Sequence, residues 1–175
     1  MDFTELRRAN KARQEEWPGG GKIDLPFRGL ELAGETGELL NLVKKRVRIN
    51  LGIQGTKETP QALHHSLREE IGDVMACLDL VAMSAGLHSL KLYEAGEDKE
   101  DNLTQRGNSL MASVGRVCEA IGKDDPIALT YHLSSATLFL SRVSNAMGIN
   151  LGPAVVDKFN AVTKKHGFKT RMNHT

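Results

Sequence analysis

Four carboxylates stand out in the chain by their spacing. Glu35 and Glu38 lie in the segment ELAGETGELL, and Glu70 and Asp73 lie in LREEIGDVMACLDL. Each pair is three residues apart in an amphipathic, helix-forming stretch, so its two side chains share a face one turn apart. Two such helices packed side by side bring four acids into one small volume, where like charges do not stay ionised without a counter-charge. A divalent, oxygen-preferring cation, Mg²⁺ with Mn²⁺ as a substitute, is the natural one.

A carboxylate-held Mg²⁺ points to a polyphosphate substrate, whose oxygens it bridges and whose developing charge it offsets. A carboxylate not fully used by metal can orient and deprotonate water. No Ser, Cys or His arrangement resembles an activated nucleophile, which favours direct attack by water. Lys44, Lys45, Arg46, Lys158 and Lys169 are the cations available to distal phosphates. A di-iron site would want Glu-x-x-His pairs; the residues three after Glu35 and Glu70 are Glu38 and Asp73 instead. His64 and His65 fall off that stripe and read as surface residues. The string GGGK is not a phosphate loop, because Ile23 follows Lys22 and the spacing GxxxxGK[ST] is absent. Trp17 is a candidate for stacking on a base, although a single Trp is more often a packing residue.

The elements that must position these acids are helices. Leu, Ala, Glu, Lys and Met dominate the periodic stretches, and β-branched residues never cluster for long. The expected order is a polar helix over 3–16, a flexible connector at Pro18 and Gly19 to Gly21, and a helix over 26–48. A loop over 49–60 and a helix over 61–85 follow. A charge run, GEDKED at 96–101, reads as a solvated linker. Two further helices over 103–122 and 126–147 precede a last one, which starts near Gly152 and Pro153 and ends at Gly167. The basic tail FKTRMNHT is expected to be loosely held. Gly34, Gly37 and Gly72 stand beside the acids inside helices, each costing about 1 kcal/mol relative to alanine, and so suggest close helix approach or room for a ligand.

The stretch from Arg28, RGLELAGETGELLNLVKK, is echoed from Arg106 by RGNSLMASVGRVCEAIGK. Both lead through a loop to an apolar helix ending in Gly-aliphatic, at Gly86-Leu87 and Gly148-Ile149. This reads as a duplicated helical hairpin. In the second copy Ser113 and Arg116 replace Glu35 and Glu38, and His132 and Ser135 fall where Glu70 and Asp73 would be, so the echo carries no metal site.

Composition bounds the rest. With 175 residues, 40% of them hydrophobic and 26% charged, the chain suits one soluble domain spanning 1–175. A net charge of +1 gives no field that implies nucleic acid or membrane as a partner. Cys77 and Cys118 sit in apolar helical contexts and read as buried hydrophobes in a reducing compartment. No run is long enough to span a bilayer, and the charged N-terminal segment lacks the apolar core of a signal peptide. A cytoplasmic location is expected.

The segments FRGLELAGETGELLNLVKKRVR, LREEIGDVMACLDLVAM and AVVDKFNAVTKKHGFKTRM resemble the all-α nucleoside triphosphate pyrophosphatases, in particular the small MazG-like proteins of bacteria and their phages. The likeness covers roughly the first ninety and the last twenty-five residues. It implies an all-α helical bundle of that type, with a catalytic hairpin over 26–87, a degenerate second hairpin or insertion over 103–149, and a C-terminal helix and tail over 152–175. It implies Mg²⁺-dependent hydrolysis of a (d)NTP to (d)NMP and pyrophosphate, by water attack at the α-phosphorus. Carried over, Glu35, Glu38, Glu70 and Asp73 hold the metal. Many members have a further acid where this chain has Gly34, so Glu31 and Glu35 both stand as candidates for the general base. Arg28, Lys45, Lys158 and Asn160 are the substrate-binding candidates. Related enzymes are dimers or dimers of dimers, so a homodimer is expected, with the second hairpin taking part of a partner's place. The alternative is a catalytically weak nucleotide-binding or regulatory helical protein.

Overall fold

Capping residues set where the helices begin. Asp24 accepts a hydrogen bond from the Phe27 N–H and is followed by Pro26 in the first turn; Thr59 accepts from Ala62 ahead of Pro60. Asn102 and Gln105 form a reciprocal capping box, and Asp125 precedes Pro126 while accepting from Ile127 and Ala128. Such residues satisfy N–H groups that the first turn leaves unpaired, and Pro there gives up none that was needed. In the computed structural model, which describes residues 3–55, 57–88, 90 and 102–174, the helices are α1 (Phe3–Glu16), α2 (Leu25–Asn50), α3 (Pro60–Ser84), α4 (Leu103–Gly122), α5 (Pro126–Ala146) and α6 (Leu151–Lys165). The described residues contain no strand, so the fold is all-α. No helix among them is long and apolar enough to cross a membrane.

The expected helices are all present, with ends shifted by one or two residues. The stretch expected as a flexible connector holds a short 3-10 turn, Gly20–Lys22. The charge run at 96–101 lies outside the described residues.

Two hairpins form the body of the fold. The α2–α3 hairpin packs on the α4–α5 hairpin, α2 against α4 and α3 against α5, while α1 and α6 lie on α3. Leu32 and Leu39 of α2, Ile71 and Leu78 of α3, Leu110 and Val117 of α4, and Leu133 and Leu140 of α5 are fully buried between them. Burial of an aliphatic side chain of this size contributes about 1.5–3 kcal/mol.

The two hairpins meet through reciprocal contacts. A Cβ built on Gly29 of α2 would lie 2.9 Å from Ile121 and 3.8 Å from Cys118 of α4. A Cβ on Gly107 of α4 would lie 3.1 Å from Leu40 and 3.6 Å from Val43 of α2. Gly107 stands to Gly29 at the same offset as Cys118 to Leu40 and Ile121 to Val43. One patch therefore faces its own counterpart, the pattern of an isologous interface within a single chain. The buried residues of α3 and α5 also match at one constant offset, as in Leu67 and Leu129, Ile71 and Leu133, Leu78 and Leu140, and Val81 and Val143. Gly86 and Gly148, with φ of 73° and 67°, end α3 and α5 in the same left-handed turn.

Helix α1 is fastened through one buried carboxylate. Asp79 is fully buried; Arg7 donates to it from Nε at 3.0 Å and pairs with it at 2.8 Å, and Asn10 Nδ2 donates at 2.9 Å. Arg7 also donates to the carbonyls of Leu87 and His88 at the end of α3. The tail, expected to be loosely held, is instead tied down. Glu16 accepts from the N–H groups of Lys169 and Thr170, Glu5 from that of Asn173, and Met172 is buried. Its basic composition hid this, because its backbone amides make the ties.

Candidate functional site

Packing of α2 on α3 brings three of the four acids together. Glu35 and Glu38 of α2 and Glu70 of α3 each offer a carboxylate oxygen within 4.8 Å of the others. Glu38 is exposed, and Glu35 and Glu70 are half-buried. One oxygen of Glu70, Oε2, is buried and has no hydrogen-bond partner. Burial, followed by the nearby charge of Asp73, raises the Glu70 pKa from 4.5 to about 7. Burial, then Asp73 and Glu38, raises that of Glu35 as well.

Asp73 stands outside this set of three. It lies one turn beyond Glu70 and accepts an ion pair from Lys158 of α6 at 2.8 Å. Burial still raises its pKa, against the opposing pull of Lys158. Burial pushes the Lys158 ammonium down, but its hydrogen bond to Asp73 and the attraction of Asp73, Glu69 and Glu70 hold it above its ordinary value. Close approach of α6 makes this pairing possible. A Cβ on Gly72 would lie 2.6 Å from Lys158 Cβ and 2.9 Å from the Ala154 carbonyl oxygen. Gly72 is thus a helix-crossing residue, whereas Gly34 and Gly37 face open space with no atom within 4 Å of a built Cβ.

The remaining candidates fall in different places. Arg28 is buried and pairs with Glu31 at 2.7 Å, one turn before Glu35. Lys45 pairs with Glu58 across the 51–58 connection. Asn160 donates to the Met172 carbonyl and accepts from the Met172 N–H, both at 2.9 Å, so both ends of its amide hold the tail. Lys169 gives its backbone N–H to Glu16. Cys77 lies beneath the acids, and burial together with Glu35, Glu31 and Asp73 raises its thiol pKa strongly.

A cavity of about 420 Å³ adjoins the acids. Glu31 and Glu35 line it, together with Asn10, Arg13, Gln14 and Trp17 of the first helix and the residue after it, and with Ile23, Phe27 and Val162. Gln14 donates to the Gly20 carbonyl, while its buried Oε1 has no partner. Arg13 lies 3.8 Å over the Phe159 ring, and burial lowers its pKa to about 10 against the attraction of Asp73. Arg13, Asn10 and Gln14 had not stood out in the sequence. Their signal was the spacing of Asn10, Arg13, Gln14 and Trp17, which places polar and aromatic groups on one side of an otherwise charged helix. A larger depression of about 680 Å³ on α5 contains no carboxylate or cation, so it offers none of this chemistry.

The three clustered carboxylates, the orphaned Glu70 oxygen and the raised acid pKa values fit a hard divalent cation, which supplies the charge this oxygen-only donor set lacks. Comparison of the chain with family models, with curated proteins and with solved structures finds no significant match.

Proposed function

We propose that this protein is a Mg²⁺-dependent pyrophosphohydrolase acting on nucleoside triphosphates, releasing pyrophosphate and a nucleoside monophosphate. The observation that carries this reading is the Glu35–Glu38–Glu70 cluster with its unpartnered, buried Glu70 oxygen, opening beside a cavity of nucleoside size. Glu35, Glu38 and Glu70 would hold the cation, with Asp73 one turn away. Bound Mg²⁺ would supply charge neutralisation at the phosphates.

The chain's own groups then divide the work. Glu35 lines the cavity beside Glu38 and Glu70 and is placed to take a proton from a water there; Glu31, which also lines it and is paired with Arg28, is the other candidate. Arg13 and Lys158 bring positive charge to the edge of the acid cluster, where a triphosphate would add negative charge. Trp17 and Phe27 give the cavity aromatic walls suited to a base.

The same reading takes the fold as an all-α nucleoside triphosphate pyrophosphatase bundle of MazG-like type. In it α4–α5 is a degenerate copy of α2–α3. The reciprocal contacts of Gly29 and Gly107 support the duplication. The copy lost its acids at Ser113, Arg116, His132 and Ser135, leaving one site per chain, and two chains associate as a homodimer. A sedimentation mass of four chains would count against that association.

The test is a product assay across the deoxynucleoside triphosphates with Mg²⁺. Pyrophosphate, not orthophosphate, should appear, and Glu38→Gln and Asp73→Asn should each abolish most of it. Full activity in both variants would show the assignment to be wrong.

A further inference from the structure

The cavity beside the acids is closed in part by a residue that the first helix alone does not hold. Trp17 follows the last residue of α1 and is 37% exposed, and Pro18 and the turn at Gly20–Lys22 lead the chain away from it. Its ring packs on two residues from the far end of the sequence. His166 lies at a centroid distance of 4.6 Å and Phe168 at 5.1 Å, edge-on, and these two rings stack on one another at 5.6 Å. The same indole lines the cavity that Glu31 and Glu35 also line.

The segment carrying this aromatic pair is anchored around it. Glu16, the neighbour of Trp17, accepts from the Lys169 N–H at 2.5 Å and the Thr170 N–H at 2.9 Å, and also from the Thr170 hydroxyl. Glu5, farther along the same helix, accepts from the Asn173 N–H at 2.8 Å. On the other side Asn160 of α6 takes both backbone groups of Met172, whose side chain is buried. A strap over 167–173 is thereby pinned to α1 and to α6, and it carries Phe168 against Trp17. Bonds to consecutive backbone amides fix a segment's path more narrowly than bonds between side chains, because the amides have no rotamers of their own.

We infer that this strap is a positioning element for nucleotide recognition: His166 and Phe168 hold the Trp17 ring as a stacking wall for the base, and Glu16 holds the strap. The inference rests on the pyrophosphohydrolase reading, since it takes the cavity as the seat of the base and the acids as the seat of the phosphates. Stacking on an aromatic ring tolerates any base, so the strap sets affinity for nucleotides as a class and leaves the chemical step to the carboxylates.

The chain contains one tryptophan, so its emission reports on this wall directly. The probes are deoxynucleoside monophosphates with Mg²⁺ for emission, and the triphosphates for pyrophosphate release. In the wild type, monophosphate binding should quench Trp17. Phe168→Ala should shift the ligand-free emission to the red and raise KM about tenfold, the size of a lost base-stacking contact, with kcat within about twofold of wild type. Phe168→Tyr should restore both. Glu16→Ala removes the anchor without touching the core and should move KM and emission in the same direction, so the test survives if Phe168→Ala does not fold.

The outcomes separate the two ideas. Pyrophosphate release by the wild type, with KM and quenching unchanged in Phe168→Ala and Glu16→Ala, overturns the strap and leaves the activity standing. A fall in kcat matching the rise in KM overturns it too, because a strap that only positions the base would not slow the chemistry. A wild type that neither releases pyrophosphate nor shows quenching by nucleotide overturns both.

Discussion

Glu70→Gln should make the metal-free protein more stable at alkaline pH while destroying its response to Mg²⁺. The folded-state pKa of Glu70 is raised from 4.5 to about 7 by burial and by Asp73. An acid with a raised pKa contributes its stability below the unfolded value, and that contribution is lost as pH rises toward the folded one. Between 4.5 and about 7 the folded state holds a proton that the unfolded chain has released, so stability falls through this window. At about 1.4 kcal/mol per pK unit the ceiling is roughly 3 kcal/mol. Glu70 is only half-buried, and solvent screening brings the figure down to about 1–2 kcal/mol. Glutamine carries no charge at any pH and escapes this loss. Melts in EDTA near pH 8 should therefore show the variant about 3–6 °C above wild type, using the shift expected for a domain of this size. Near pH 5 most of the difference should vanish. Saturating Mg²⁺ should reverse the order, because binding at a hundredfold excess over Kd adds about 2.7 kcal/mol to the wild type only. A variant less stable than wild type near pH 8, or a difference that does not change with pH, would refute the reasoning.

Gly72→Ala should lower stability in urea by about 1–3 kcal/mol, because its Cβ would meet the Ala154 carbonyl oxygen at 2.9 Å and α6 would have to move. Gly34→Ala, with open space at the same test, should raise it by up to about 1 kcal/mol through helix propensity alone. Asp79→Ala leaves Arg7 and Asn10 without their buried acceptor and should cost about 3 kcal/mol in the same melts, loosening α1 first in hydrogen exchange. Cys77, whose thiolate is disfavoured by burial and by three neighbouring acids, should react with iodoacetamide more slowly than Cys118 near pH 8. The two should become equal in denaturant; faster labelling of native Cys77 would contradict the described burial.

Much of the helix order was legible because its signals are local. Periodic runs of Leu, Ala, Glu, Lys and Met, broken by Pro18 with Gly19 to Gly21 and by Gly152-Pro153, carry that order, and the caps Asp24, Thr59, Asn102 and Asp125 fix the starts in the structure. The three-residue spacing of Glu35–Glu38 and Glu70–Asp73 likewise places each pair on one face before any packing is known. What lay beyond reach depends on partners distant in sequence. Lys158 drawing Asp73 aside follows from α6 crossing α3 at Gly72, which no local pattern states. Asn10, Arg13 and Gln14 share a cavity with Glu31 and Glu35 because α1 docks on α3, through buried Phe3, Leu6 and Ala9 and the bonds of Arg7 and Asn10 to Asp79. The two bonds of the Asn160 amide to the Met172 backbone likewise join residues twelve apart, which no local pattern states.

The glycine seam between the hairpins bears on the order in which the chain folds. Within each hairpin the helices are close in sequence, so each gains its contacts at small loop-closure entropy and can form early. Joining the two requires Gly29 and Gly107 to meet the opposite helix across most of a hundred residues, which makes docking the late step. A methyl group at either glycine therefore acts after the main barrier: it should speed unfolding while leaving the refolding rate nearly unchanged. Kinetic persistence of the protein then depends in part on two positions that carry no side chain at all.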